Sequence, residues 1–135
     1  LSIRHKTLKE KMMKNLVKLI EIPVTDFNRA VKFYEAIMAI KLTVCDSCET
    51  EKMAFFSDFS TEPNVAISWA ADFYSSKDGV LVSLNVESIE ATLERIISNG
   101  GKTIRPKTKI EAEGMGYFAM FLDSEGNTLG LYADK

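Results

Sequence analysis

Residues 22–35 read IPVTDFNRAVKFYE, and the change of period inside this stretch decides the fold. The run leading into it, LVKLIEIPV (16–24), is rich in branched aliphatic residues, as strands are. Thr25 or Asp26 then supplies a helix cap, and Phe27, Ala30, Val31, Tyr34, Ile37 and Met38 follow at helical spacing on one face. The stretch is a strand handing over to a helix.

The same hand-over recurs. VLVSLNV (80–86) is strand-like and Ser88 can cap; Ile89, Leu93, Ile96 and Ile97 share a face, and Gly100-Gly101 ends the helix. Val86 follows Val24 by 62 residues, Asp123 of FAMFLD follows Asp58 of MAFFSD by 65, and Asn127 follows Asn64 by 63. Near-constant offsets over this length point to an internal duplication. Each half reads β-α-β-β-β, with later strands expected near 41–46, 51–57 and 64–70, and near 102–106, 116–122 and 128–133. The fold class is α+β, two tandem βαβββ modules with a mixed sheet in each and a helix packed on its outer face.

The expected organisation is an N-terminal extension (1–14) and a single domain (15–135). The domain comprises a module at 15–70, a polar linker ADFYSSKDG at 71–79, and a module at 80–135. The extension carries Arg4, Lys6, Lys9, Lys11, Lys14 and the chain's single histidine, His5. It reads either as a solvated tail ahead of a start at Met12 or Met13, or as a short docking helix.

Composition excludes several classes. The 135 residues are 46% hydrophobic and 27% charged, values of an ordinary globular domain. A net charge of −2 offers no basic field to attract nucleic acid, and no apolar run reaches the roughly 18 residues that span a bilayer. Two cysteines, Cys45 and Cys48, are too few for a disulfide scaffold. The expectation is a cytoplasmic protein that binds neither nucleic acid nor membrane and takes a small molecule.

With IPVTDFNRAVKFYE (22–35) and FLDSEGNTLGLY (121–132) at repeat spacing, the chain resembles the vicinal oxygen chelate superfamily. That superfamily includes glyoxalase I, bleomycin-resistance proteins, fosfomycin-resistance proteins and extradiol dioxygenases. The chain looks most like bacterial stand-alone glyoxalase-related domains. The resemblance covers residues 15 to 134 and implies that the two sheets curl into a barrel-like cleft, commonly in a homodimer. It also implies a metal held by His, Glu or Gln side chains from the first and last strands of each module. Counted onto this chain, those positions are Leu19, Ile67, Leu81 and Gly130. None has a side-chain donor, and residues 15–135 contain no histidine, so no metal and no cofactor is expected.

Alternation along the strands then nominates the cleft residues. Glu21 falls on the face of Leu19, where it could act as a general base, bind a cationic or hydroxyl-bearing ligand, or form an ordinary rim hydrogen bond. Trp69 and Tyr132 take the faces of Ile67 and Gly130. Phe55 and Met120, with Met53 and Phe118, extend an aromatic and thioether surface, while Ser83 and Asn85 supply polar groups on the opposite wall. Plain core packing is the competing reading of the aromatic and methionine positions.

Three other motifs have structural readings. CDSC (45–48) offers two thiols at a hairpin, short of a zinc set. DSEGN (123–127) reads as a tight turn with Gly126 at positive φ. Lys102, Arg105, Lys107 and Lys109 alternate along a strand, as on a solvated sheet edge that resists aggregation or on an anion-binding rim. The functional expectation is a glyoxalase- or bleomycin-resistance-like protein without the usual metal ligands, binding a small, partly apolar molecule. The alternative is a lyase or isomerase related to lactoylglutathione lyase, metal-free with Glu21 as base or with a relocated metal site.

Overall fold

A computed structural model describes residues 16–135; the 1–14 extension and His5 lie outside the described residues. The first module runs β1 (Leu19–Pro23), α1 (Phe27–Met38), β2 (Thr43–Cys45), β3 (Glu51–Phe55) and β4 (Asn64–Ala70). The second runs β5 (Ser83–Asn85), α2 (Ile89–Ser98), β6 (Lys102–Lys109), β7 (Tyr117–Leu122) and β8 (Thr128–Ala133). The expected βαβββ duplication is present in full. Each module forms its own four-stranded mixed sheet, ordered β1-β4-β3-β2 and β5-β8-β7-β6, with the first strand parallel to the last. The sheets curl without closing into a barrel. No helix among the described residues is long and apolar enough to cross a membrane.

Both helices begin where their caps are. The Asp26 carboxylate accepts from the Arg29 amide at 3.0 Å, and Ser88 Oγ accepts from the Ala91 amide at 3.1 Å. Phe27, Ala30, Tyr34 and Ile37 are buried as the periodicity requires, and Phe33 joins them against Phe121, with ring centroids 6.4 Å apart. The second helix departs from expectation at Ile97, which is exposed, while Thr92 is buried in the stripe beside Ile89 and Ile96. Thr92 can be buried because its hydroxyl donates to the Ser88 carbonyl at 2.8 Å.

The modules are joined through the β7–β8 turn. Gly126 has φ +91°, and Asp123 Oδ1 accepts from the Glu125 and Asn127 amides at 2.8 Å each, which is the tight turn expected of DSEGN. From this turn Asp123 Oδ2 accepts from the Tyr34 hydroxyl at 2.6 Å. The Glu125 side chain is fully buried and accepts from Arg29 Nε at 2.7 Å and Nη2 at 3.0 Å, and from the Thr25 and Asp26 amides at 3.0 and 2.7 Å. Asn127 Nδ2 donates to the Pro23 carbonyl at 2.7 Å. A turn of the second module thus satisfies the start of the first module's helix, and one hydrophobic core runs through both halves. Arg95 returns the contact, donating from Nε to the Ile37 carbonyl at the end of α1 at 3.0 Å.

The basic strand is an edge, as read from the sequence: β6 lies outermost, with register irregularities on both sides of Arg105. Lys107 pairs with Glu90 at 3.2 Å and lies over the Tyr117 ring.

Two predictions follow from these contacts. Burial disfavours the charged Glu125 carboxylate, but the hydrogen bonds from Arg29, the Asp26 amide and Ser124, with the Arg29 charge, outweigh burial and hold its pKa below the ordinary 4.5. A depressed folded-state pKa adds stability that is present above 4.5 and lost as pH falls through the lower folded value. Glu125→Gln is expected to lower stability by about 2 kcal/mol at neutral pH and to flatten this acid loss, as read by urea unfolding across the acid range. Separately, α1 ends at Ala39 with φ 55°, a left-handed position with no glycine. Ala39→Gly relieves strain of about 1–2 kcal/mol against about 0.4–1 kcal/mol of added unfolded-chain entropy. Thermal unfolding should therefore show a net gain of about 0.5–1 kcal/mol.

Candidate functional site

Because β1 and β5 belong to separate sheets, the seam between the modules is bridged by side chains and linker. Along it runs an open groove of about 680 Å³, within the size range of small-molecule sites. Buried Ile22 and Leu129 and exposed Leu19, Phe73, Val80 and Leu81 supply its apolar surface. Val80 is 90% exposed, so this side of the groove is open to solvent. Glu21, Ser83, Asn127 and Thr128 supply polar atoms. Asn127 also ties the linker down, its Oδ1 accepting from the Ser76 amide at 2.9 Å.

Register settles which candidates share a face. Glu21 lies opposite Ala66 and Pro23 opposite Ser68, and Ser68 Oγ donates to Glu21 Oε1 at 2.9 Å. Met53 and Phe55, opposite Ser68 and Ala66, are on this same face. In the second module Gly130 lies opposite Ser83 and Met120, and Tyr132 opposite Asn85 and Phe118. Glu21, Phe55, Ser83, Asn85, Met120 and Tyr132 are therefore all on the faces turned away from the helices.

Trp69 and Ile67 are not. Ile67 is paired with Ile22 and Ala54 inside the core, and Trp69, two residues on, packs against that core with the Lys52 ammonium 5.6 Å from its ring centre. The expectation that both line the cleft does not hold: Ile67 is core, and Trp69 lies outside the seam groove, bordering instead a recess of about 190 Å³ beside Glu21 and Ser68. The reason is a one-residue slip: Gly130 corresponds structurally to Ala66, an offset of 64 where the paired asparagines are 63 apart. A slip of one along a strand reverses every side chain.

The candidates do not all converge. Glu21 and Ser83 line the seam groove, whereas Asn85 lines separate surface recesses beside Val86 and Glu87. Tyr132 is held at the far end, its hydroxyl accepting from the Gly116 amide at 3.0 Å, and Phe55 stacks edge-on against Phe59 at 5.0 Å. Sequence reasoning missed the groove residues at 73, 76 and 79–80, because 71–79 is polar and turn-rich overall. Phe73 within that linker was the available signal. It also missed Ser68, which meets Glu21 only once the strands are in register.

The metal positions implied by the sequence resemblance can be tested directly. Leu19 and Leu81 both line the groove, while the last-strand places are Ala66 and Gly130. None carries a donor, and Gly130 has no space for one, since a Cβ there would come within 2.4 Å of Ser83 Oγ. These residues do not fit a transition metal, and no group of three or more His, Cys, Asp or Glu that could hold one occurs among the described residues. Cys45 and Cys48 are free and exposed; a hydrogen bond from Thr50 lowers the Cys48 thiol pKa.

Comparison with known proteins agrees with this geometry. The Glyoxalase/Bleomycin resistance protein/Dioxygenase superfamily matches residues 16–131. A glyoxylase-like domain-containing protein of Didymella fabae is 32% identical over 114 residues, covering 81% of this chain and 86% of that one. Glyoxalase I from Zea mays superposes with a TM-score of 0.67 at 20% identity, over 86% of this chain; the alignment covers 45% of the maize chain. A glyoxalase/bleomycin resistance protein from Albidiferax ferrireducens gives a TM-score of 0.63 at 18% identity, over 87% of this chain and 98% of its own. The duplicated βαβββ architecture and the match over nearly all of the described residues place this chain in the Glyoxalase/Bleomycin resistance protein/Dioxygenase superfamily.

Proposed function

We propose that this protein binds a small, largely apolar molecule in the seam groove and does so without the metal its relatives' ligand positions would hold. The observation that carries this reading is the convergence of Leu19 and Leu81 on one apolar groove of about 680 Å³. The duplication brings these two equivalent positions together, so the place where a metalloenzyme of this fold would put donors is here a hydrocarbon wall. Burying such a wall against a ligand is favourable at about 25 cal/mol per Å². The nearby polar groups, Glu21, Ser83 and Asn127, are few and can orient an occupant.

Nile red, a neutral dye that fluoresces on entering apolar pockets, tests the site. The parent protein is expected to give a saturable increase in fluorescence. Leu19→Glu and Leu81→Glu, each placing a charge in the wall, should weaken binding by about tenfold or more while circular dichroism stays unchanged. Parent-like titrations from both variants would show that the dye, and the site, lie elsewhere.

A further inference from the structure

Glu21 is the only ionisable side chain among the described residues that line the groove; the remainder are apolar or carry neutral amide or hydroxyl groups. No Lys, Arg or His among the described residues pairs with it. Its Oε1 is held by the hydroxyl of Ser68, which is itself 5% exposed and fixed in the middle of the sheet. Glu21 also borders a smaller recess of about 190 Å³, reached past Phe73, which lines both spaces. Lys52 borders that recess too, but its register opposite Trp69 turns it to the other face of the sheet, over the indole ring.

From this arrangement we propose that the groove's ligand is a small apolar amine whose ammonium group pairs with the Glu21 carboxylate, with Ser68 as the positioning residue. The inference rests on the groove reading above and adds the chemical class of the occupant. An ammonium would make a charge-assisted hydrogen bond to the exposed Glu21 carboxylate while its hydrocarbon covers the apolar wall of the groove. An alcohol would gain only a neutral donor's bond. A carboxylate would bring like charge beside Glu21 with no cation in the groove to offset it. Charge complementarity therefore selects the amine among molecules of equal apolar size.

The test is displacement of Nile red by n-octylamine, n-octanol and octanoate, read as the ratio of their half-displacing concentrations. In the parent, octylamine should act at about tenfold lower concentration than octanol, and octanoate should be weakest. Glu21→Gln should bring the amine-to-alcohol ratio close to one, and Ser68→Ala should reduce it partway. Because each ratio is taken within one protein, a general loosening of the groove does not alter it. Equal displacement by octanol and octylamine, or preference for octanoate, would overturn the amine while leaving the groove intact. A parent-like ratio in Ser68→Ala would remove Ser68 from the positioning role. Failure of Nile red to bind at all would overturn both readings.

Discussion

The buried Glu125 carboxylate is the contact on which the relation between the two modules depends. It meets a need created elsewhere in the chain: the Thr25 and Asp26 amides at the entry to α1 have no partner within their own helix. A side chain from a turn 99 residues after Asp26 accepts from both. Asp123 and Asn127 extend the same turn to Tyr34, Pro23 and the linker, so helix, first strand and connection are set against the second module by three side chains. Such a network is favourable only when complete, because a buried carboxylate stripped of its donors is strongly destabilising. None of the buried polar side-chain atoms among the described residues is left without a partner.

The groove is a consequence of this mode of joining. Had β1 and β5 paired directly, the two sheets would have merged and the seam would be closed by a ladder of hydrogen bonds. Instead the modules are held from the helix side and by the β7–β8 turn. The other side of the seam is left to Leu19, Leu81, Val80 and Phe73, whose apolar surface has no protein partner along the groove among the described residues. Ser68 Oγ donates to Glu21, the one carboxylate among the described residues that line the groove.

Much of this was legible in the sequence. Strand-to-helix hand-overs, caps at Asp26 and Ser88, the glycine turn at 126 and the duplication are all local patterns, governed by backbone geometry and by which side chains must avoid water. The face of Glu21 and Ser83 was also legible, since it needs only alternation within one strand. Trp69 was misplaced because its face was inferred across the repeat, and the loops before β4 and β8 differ in length. The paired asparagines keep one spacing while the strands keep another.

The sequence by itself determined the two modules, their elements and the absence of donors at Leu19, Leu81 and Gly130, because these follow from residue chemistry and short-range periodicity. Only the tertiary structure decided that Glu125 is a buried anchor rather than a turn residue in solvent, that the space at Gly130 is filled by Ser83, and that Leu19 and Leu81 share one groove with Glu21. Those outcomes depend on contacts between residues about 50 to 100 positions apart. Which distant groups meet is set by the joint packing of both modules, and no local pattern carries it.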